Sequence, residues 1–286
     1  MTDIVDLSHV AIDGAALVAV NVLLWLVSLV LGKTWPVDFI WSSWPIAQAA
    51  AIYARAGGGG DGDRTRQLMV FCFTCVWGFR LTHNFVARGG VGHEDWRYTD
   101  MRTQFGRHFW IVSLFSVFLG QTIFLFAPCL SLYAALNNPA AVSGVDVAAA
   151  AVCFAAILLE TVADLQMNNF VASKREKRTD KVMIDSGLWR WSRHPNYMGE
   201  VAWWWGLWLF SFSASAAPGW VVAGPLLITF LFVGVSIQLM EDRQAKNKGP
   251  DFLAYKREVG SALFLLPPPL CRKLGAWRYG SGATSA

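Results

Sequence analysis

The chain has 286 residues, of which 55% are hydrophobic and only 15% charged, with 15 tryptophans and a formal net charge of +4. Water-soluble domains usually carry about 25% charged residues, so this composition excludes a disordered chain, an acidic tail protein and a nucleic-acid-binding protein. It predicts a polytopic membrane protein, because the length accommodates roughly six to eight spans of about 20 residues with their loops.

Apolar segments recur along the whole chain and predict about seven transmembrane helices. They cover residues 11–31, 36–54, 67–86, 110–135, 143–165, 197–214 and 219–240. Spanning segments must satisfy their backbone hydrogen bonds internally, and helices of this length do so. The expected fold is therefore all-α, a polytopic membrane bundle in which residues 1–286 form a single transmembrane domain.

Lysine and arginine are unevenly distributed between the predicted loops. With seven spans, 20 of the 24 fall on one side of the membrane, mostly at 88–107, at 174–193 and from Arg243 onward. Basic loops are retained on the cytosolic side during insertion. The C-terminus and both large polar loops are thus predicted to face the cytosol or an equivalent compartment. The basic excess follows from this topology and needs no nucleic-acid partner.

The five cysteines are odd in number and lie mostly within apolar segments, so no disulfide framework is expected. Cys72 and Cys75 form a C-x-x-C motif. Its surroundings, V-F-C-F-T-C-V-W, are typical of packing or lipid-facing residues. We expect no metal site here or elsewhere in the chain.

Polar and ionisable side chains occur inside or at the ends of the predicted spans. They are Asp38, Arg80, His83, Gln121, Glu160, Asp164 and Glu200. Such groups are costly in a bilayer and normally face a wet cavity or one another, so they indicate a functional site. The alternative is a lattice of interhelical ion pairs, for instance Arg80 with Asp38, that holds the bundle without chemistry. The positions all approach the basic side, which favours a site.

The densest polar run, S-G-L-W-R-W-S-R-H-P-N-Y-M-G-E, covers residues 186–200. Its proline fits the first turn of a helix, where the missing N–H is tolerated, and Asn196 and Glu200 then lie on one face. Arg193 and His194 come just before. A helix N-terminus beside cationic donors suits a phosphate or pyrophosphate. A basic flank with an aromatic belt is the alternative, and it leaves Asn196 and Glu200 unexplained.

This run also resembles a known family. R-H-P-N-Y-x-G-E after G-L-W-R resembles the C-terminal signature of the steroid 5α-reductase superfamily, which membrane methyltransferases such as isoprenylcysteine carboxyl methyltransferase share loosely. From about residue 36 to 269, the chain is similar to the uncharacterised steroid-5α-reductase-like branch of small polytopic membrane proteins. The other motifs concerned are V-D-x-x-W from Val37, W-G-x-R-L from Trp77, E-D-W-R-Y from Glu94, then Arg102, Gln121, Glu241, Tyr255 and Pro267.

The resemblance implies seven transmembrane helices that enclose NADPH. The phosphates and adenine would face the cytosolic loops, and the nicotinamide would reach into the bundle beside a lipid-like enone. The cofactor-binding residues expected from it are Arg88, Arg97, Asp164, Arg193, His194, Asn196 and Glu200. Hydride chemistry belongs to the nicotinamide, and the protein orients it and polarises the acceptor carbonyl.

The chain differs from the steroid reductases at the residue expected to polarise the substrate carbonyl. Those enzymes use a tyrosine in the third span with a glutamate in the second to polarise the 3-keto group, whereas the aligned third-span residue here is Trp77. We therefore expect a catalytic cluster of Asp38, Arg80 and His83 to line the cavity. His83, three residues after Arg80, is the expected acid. The alternative is that His83 only forms a hydrogen bond to a neighbouring helix.

Three classes of function follow. The first is an oxidoreductase of lipid metabolism that uses NADPH to reduce the CH–CH group of an enone or unsaturated, steroid-like lipid. The second is a methyltransferase that uses S-adenosylmethionine, although W-G-x-R-L and E-D-W-R-Y favour the reductase. The third is a non-catalytic relative, a scaffold or lipid-binding subunit of a larger membrane assembly, which Trp77 supports. Membrane lipids are expected partners, and the endoplasmic reticulum, mitochondrial and bacterial inner membranes are all open.

Overall fold

The computed structural model describes residues 4–55, 62–213 and 218–279. Its α-helices are α1 (Leu7–Leu31), α2 (Asp38–Arg55), α3 (Arg64–Ala87), α4 (Trp96–Phe105), α5 (Phe109–Ser113), α6 (Gly120–Leu136), α7 (Gly144–Arg175), α8 (Pro195–Phe212), α9 (Ala223–Phe230), α10 (Ile237–Glu258) and α11 (Pro268–Tyr279). Those described ranges contain no strand, and the all-α prediction is confirmed.

The helices form two compact units. Unit 1 comprises Met1–Cys153 and Trp204–Ile228, and unit 2 comprises Phe154–Trp203 and Thr229–Ala286. Because the boundaries fall inside helices, α7, α8 and α9 each contribute residues to both units.

Four helical stretches in the described part of the chain are long and apolar enough to cross a membrane, as in an integral membrane protein. They are Leu7–Leu31, Trp96–Leu136, Gly144–Arg175 and Gly219–Glu258. Short 3₁₀ and π turns connect α4, α5 and α6 within the second stretch, and a π turn connects α9 to α10 within the fourth. The other three predicted spans coincide with α2, α3 and α8.

Helix α1 buries polar side chains and exposes apolar ones, which is the reverse of a helix in a water-soluble protein. Its buried residues are Asp13, Leu17, Asn21 and Ser28, which recur along one face. The Asn21 amide donates to the Thr122 hydroxyl at 3.2 Å, so this polar face packs inside unit 1. Large apolar side chains lie outside, with Val30 87% exposed. Such a surface is unfavourable in water and is suited to hydrocarbon.

A fully buried ion pair links α3 to α7 within unit 1. The Arg66 guanidinium binds both carboxylate oxygens of Asp146, at 2.6 and 3.0 Å, and neither side chain is exposed. Arg66 also donates to the backbone carbonyls of Asn138, Ala140 and Ala141. All five guanidinium N–H groups therefore have acceptors, which a buried charge requires.

A second ion pair links α1 to α2. Arg55, the last residue of α2, donates from Nη1 to Asp13 Oδ1 at 2.9 Å. The hydroxyl of Tyr133 in α6 donates to the other oxygen of the same carboxylate. Asp13 thus joins three helices of unit 1.

In unit 2, α7 and α8 approach each other closely at Gly199. A Cβ at this position would lie 2.9 Å from the Ala156 carbonyl oxygen and 3.1 Å from the Glu160 backbone nitrogen. Only glycine allows this separation. The 186–200 run is therefore seated directly against α7, and this contact positions the side chains that precede and follow Gly199.

Candidate functional site

Asp38, the first site residue in the chain, begins α2. The turn before it, Trp35–Val37, carries Pro36 in its first positions, where proline pre-sets the backbone conformation. Pro36 and Val37 are both buried and Asp38 is half-buried. The turn therefore fixes the position of the Asp38 carboxyl at the edge of the packed part of unit 1.

A tyrosine of the E-D-W-R-Y motif reaches this carboxyl. Asp95 caps α4 by accepting from the Arg97 backbone N–H at 2.9 Å, and Tyr98 follows in the first turn with 4% exposure. The Tyr98 hydroxyl donates to Asp38 Oδ1 at 3.0 Å, and Gln121 Nε2 donates to the hydroxyl at 3.3 Å. A carboxyl, a phenol and an amide thus meet within unit 1. We call Asp38, Tyr98 and Gln121 the tyrosine cluster.

Another acid of the same motif holds the loop in place. Glu94 accepts hydrogen bonds from the Thr34 hydroxyl at 3.0 Å and from Arg102 Nη2 at 2.8 Å. The Arg102 guanidinium also lies over the Phe109 ring, 4.0 Å from its centroid. These contacts join the α1–α2 connection to α4. The motif therefore positions Tyr98 as well as supplying it.

Two arginines that the sequence predicts as cofactor ligands lie near the tyrosine cluster. Arg88 caps the end of α3 and is exposed, and the Arg97 side chain is 48% exposed, with Nε donating to Asp95 at 2.7 Å. Both act electrostatically on the Asp38 carboxyl. The structure thus brings Asp38, Arg88 and Arg97 to the same end of unit 1, where the guanidinium groups are accessible to an anion.

The other two predicted catalytic residues lie on different faces of α3. Arg80 is half-buried, whereas His83 is exposed and aligned with Phe79 and Val86, which are 66% and 49% exposed. The sequence predicts His83 inside the bundle, and the structure instead places it on the outer, apolar face. Residues three apart differ by about 60° around a helix, and here the edge of the inner face falls between them. His83 therefore does not join the tyrosine cluster.

Trp77, at the position where the resemblance to the reductases led us to expect a tyrosine, is a packing residue. It is fully buried, and its ring meets that of Trp204 edge-on with 5.4 Å between centroids. The tyrosine that sequence reasoning missed is Tyr98, which lies in α4 rather than in the third span. The signal for it was present, because Asp38, the E-D-W-R-Y motif and Gln121 were all recognised as motif positions.

Two of the predicted cofactor residues are in contact in unit 2. Asn196, in the first turn of α8, donates from Nδ2 to Asp164 Oδ1 on α7 at 3.3 Å. Glu200, one turn further along α8, is 5% exposed. The loop before α8 is fixed by Gln166, whose side-chain oxygen accepts from the Leu188 backbone N–H at 2.9 Å. This amide and carboxyl set offers both donors and acceptors to a bound polar group.

Arg193, by contrast, is committed to partners inside unit 2. Its Nε donates to Glu241 Oε1 at 2.6 Å, its Nη1 to the Val259 carbonyl oxygen at 2.6 Å, and its Nη2 to the Tyr279 hydroxyl at 3.1 Å. Lys256 pairs with the other Glu241 oxygen at 2.8 Å. Arg193 thus ties the 186–200 run to the C-terminal segment, and a phosphate would have to displace these partners.

His194 belongs to the same buried cluster. Its ring stacks on Tyr197 with 5.2 Å between centroids, and its Nε2 lies 3.3 Å from Glu241 Oε1. Burial lowers the pKa of His194 below its ordinary value, although the neighbouring Glu241 carboxylate acts in the opposite direction. At neutral pH the imidazole is therefore uncharged and adds no positive charge to a pyrophosphate site.

Comparison with known proteins shows which family this chain belongs to. A family model described as a protein of unknown function (DUF1295) matches residues 24–259. The chain belongs to this family. The DUF1295 match includes the tyrosine cluster, the Asp164–Asn196 pair and Glu241, and it ends before α11.

One relative in this comparison comes from fission yeast. An uncharacterised protein of Schizosaccharomyces pombe is 29% identical over 261 residues, which cover 83% of this chain and 74% of the yeast protein. No solved structure matches the chain.

Proposed function

We propose that this protein is a membrane-embedded reductase that uses NADPH to reduce an enone or unsaturated, lipid-like substrate. The proposal includes seven membrane crossings, formed by the four apolar helical stretches together with α2, α3 and α8. It is supported by the association of the DUF1295 family with steroid 5α-reductase-like proteins.

The observation that carries the proposal is the hydrogen bond of 3.0 Å from the Tyr98 hydroxyl to Asp38. Reduction of an enone develops negative charge on the carbonyl oxygen, and one positioned donor stabilises that charge by about 3 kcal/mol. Tyr98 is 4% exposed, so little water competes for its hydroxyl. Tyr98 and Asp38 would take the place of the tyrosine and glutamate that the resembling reductases use on the 3-keto group.

The cluster also provides a way to hand on a proton. The Tyr98 hydroxyl donates to Asp38 while that carboxyl is ionised. When Asp38 carries a proton it can donate to Tyr98, and the phenolic proton is then available to a substrate oxygen. Gln121, which donates to the same hydroxyl, restricts its orientation. Tyr98 is thus the proposed catalytic donor, and Asp38 and Gln121 are positioning residues that act through it.

Each unit by itself contains groups that suit part of a nicotinamide dinucleotide. In unit 2, Asp164 and Asn196 offer a carboxylate and an amide, which suit ribose hydroxyls or a carboxamide. In unit 1, Arg88 and Arg97 offer accessible guanidinium groups, which suit a phosphate. NADPH, when bound, supplies the hydride. In this assignment Arg193 and His194 support the fold and do not contact the cofactor.

Ligand-dependent thermal unfolding of the detergent-purified protein tests the cofactor. NADPH should raise the unfolding midpoint and S-adenosylmethionine should not, and NADPH should be oxidised in the presence of an enone lipid. Asn196→Ala should remove the NADPH shift, and the loss of its hydrogen bond to Asp164 should lower the midpoint of the ligand-free protein only slightly. The matched control is Asn247→Ala, an exposed asparagine of α10, which should keep the full shift.

The second candidate is a non-catalytic scaffold or lipid-binding subunit. The observation in its favour is that the third predicted span presents no acid, since Trp77 is packed against Trp204 and His83 faces outward. A protein stabilised by neither NADPH nor S-adenosylmethionine would overturn the reductase proposal and favour this candidate. Stabilisation by S-adenosylmethionine alone would make the protein a methyltransferase.

A further inference from the structure

The last helix, α11, has one face firmly packed on the end of α10. The Gly260 N–H donates to the Cys271 carbonyl oxygen at 3.1 Å, and Cys271 is fully buried in a cluster with Phe252, Tyr255 and Val259. A Cβ at Gly275, one turn later, would collide with the Arg257 backbone. The inner face of α11 therefore consists of Cys271 and Gly275, and it is complete within unit 2.

The opposite face of α11 exposes large apolar side chains. Leu270 is 51% and Trp277 is 79% exposed, and Lys273 lies between them and is also exposed. Spacings of three and four residues bring these side chains onto one face of a helix. We call Leu270, Lys273 and Trp277 the outer face of α11. Tryptophan beside lysine is the combination found at the water–membrane boundary, where an amphipathic ring and a long cationic side chain are both satisfied.

The charge of this part of the chain has a single sign. After Glu258 the sequence contains Arg272, Lys273 and Arg278 and no aspartate or glutamate. An apolar stripe flanked only by cations is complementary to the anionic headgroups of a bilayer. Arg272 already pairs with Glu258 at 3.0 Å, so Lys273 and Arg278 are the cations that a headgroup would meet. A protein partner of ordinary mixed charge would gain less from this arrangement, because it would have to match these cations individually.

We propose that the outer face of α11 docks on the surface of a bilayer that contains anionic lipid. The docking would hold the C-terminal segment in place, because the hydroxyl of Tyr279 at the end of α11 accepts the hydrogen bond from Arg193. The lipid surface would thus support the buried Arg193–Glu241 pair from outside. This inference does not depend on the reductase proposal, since it concerns a helix beyond the family match.

Hydrogen exchange of the full-length protein in nanodiscs tests the docking. Discs of phosphatidylcholine alone are compared with discs in which about 30 mol% is phosphatidylglycerol, and exchange of α11 amides should slow about tenfold in the anionic discs. The double variant Leu270→Ser, Trp277→Ser should lose this slowing, and Lys273→Glu should reduce it. Unchanged exchange across Ile237–Glu258 would show that the variants remain folded.

The control and the contrary outcomes are specific. Trp220→Ser removes another exposed tryptophan, 46% exposed and with no lysine or arginine beside it, and should leave α11 exchange as in the wild type. Equal α11 exchange in both lipid compositions would overturn the proposal. Protection that appears in detergent and grows with protein concentration would also overturn it, because a second copy of the chain would then occupy the outer face.

Discussion

The Tyr98 hydroxyl donates to Asp38 across 60 residues of sequence, over a distance of 3.0 Å. The contact depends on two separate local structures, the proline-containing turn before α2 and the Asp95 cap of α4. Each fixes the start of a helix, so both side chains project from a first helical turn. This relationship supplies the phenol that is absent from the third span, and it is the part of the structure on which the reductase proposal rests.

Replacing Tyr98 by phenylalanine should reduce NADPH oxidation with an enone lipid by about 10²–10³-fold, the usual effect of deleting one donor to a developing oxyanion. The ring is retained, so packing in unit 1 should change little. NADPH-dependent thermal stabilisation should persist, because the phenol is not assigned to the cofactor. Stopped-flow or steady-state absorbance of NADPH, together with the thermal shift, separates these two effects.

Tyr133→Phe is the matched control for that substitution. Its hydroxyl also donates to a buried aspartate, Asp13, but it lies about 18 Å along α6 from Gln121. We expect a lower unfolding midpoint and turnover within about twofold of wild type, since a hydrogen bond to a charged group contributes about 1.5–3 kcal/mol to stability. Full activity in Tyr98→Phe, or equal losses in both variants, would refute the role of Tyr98.

The sequence was sufficient to predict the helices and the polar positions, because long apolar segments and misplaced charges are strong signals. It was not sufficient to orient α3. The helix is apolar on most of its surface, so nothing in the pattern distinguished the inner face from the outer one carrying His83 and Phe79. Contacts between residues far apart in the chain could not be predicted from the sequence either. Arg193 reads as a phosphate ligand in a motif, and only the fold shows that Glu241 and Val259 occupy its donors.

Glu241→Gln should destabilise the protein by about 3 kcal/mol or more, because removal of one member of a buried pair leaves the Arg193 charge uncompensated. Chemical unfolding in detergent, followed by circular dichroism, measures the effect. Glu258→Gln is the matched control in the same helix. Its partner is Arg272, both side chains are 51% exposed, and such surface pairs contribute at most about 1 kcal/mol. Equal effects of the two substitutions would contradict the role of the Arg193–Glu241 pair in tying the 186–200 run to the C-terminal segment.

The stability of this cluster should depend on pH through His194. Burial lowers the pKa of His194 in the folded protein, whereas an unfolded histidine titrates near about 6.5. Below that pH the unfolded chain binds the proton first, so stability is full above about 6.5 and is lost as the pH falls towards the lowered folded pKa. The decline should be smaller in His194→Gln. His93→Gln, a substitution in an exposed loop, should leave the decline of stability with falling pH unchanged. A decline in His194→Gln as steep as in the wild type would show that His194 does not cause it.

The proposed seven-span topology would place the basic loops on one side of the membrane. Labelling of single cysteines in an otherwise cysteine-free variant tests it. Lys181→Cys and Arg272→Cys should react with an impermeant maleimide from the same side, because both lie in segments rich in lysine and arginine. Ala140→Cys, exposed between α6 and α7, lies in a turn without basic residues and should react only from the opposite side.

A four-span topology gives a different labelling pattern. If only the four apolar stretches span the membrane, α8 does not cross it, and the chain traverses the membrane once between residues 181 and 272 instead of twice. Lys181 and Arg272 would then label from opposite sides, and that result would remove α8 from the membrane and with it the seven-span proposal.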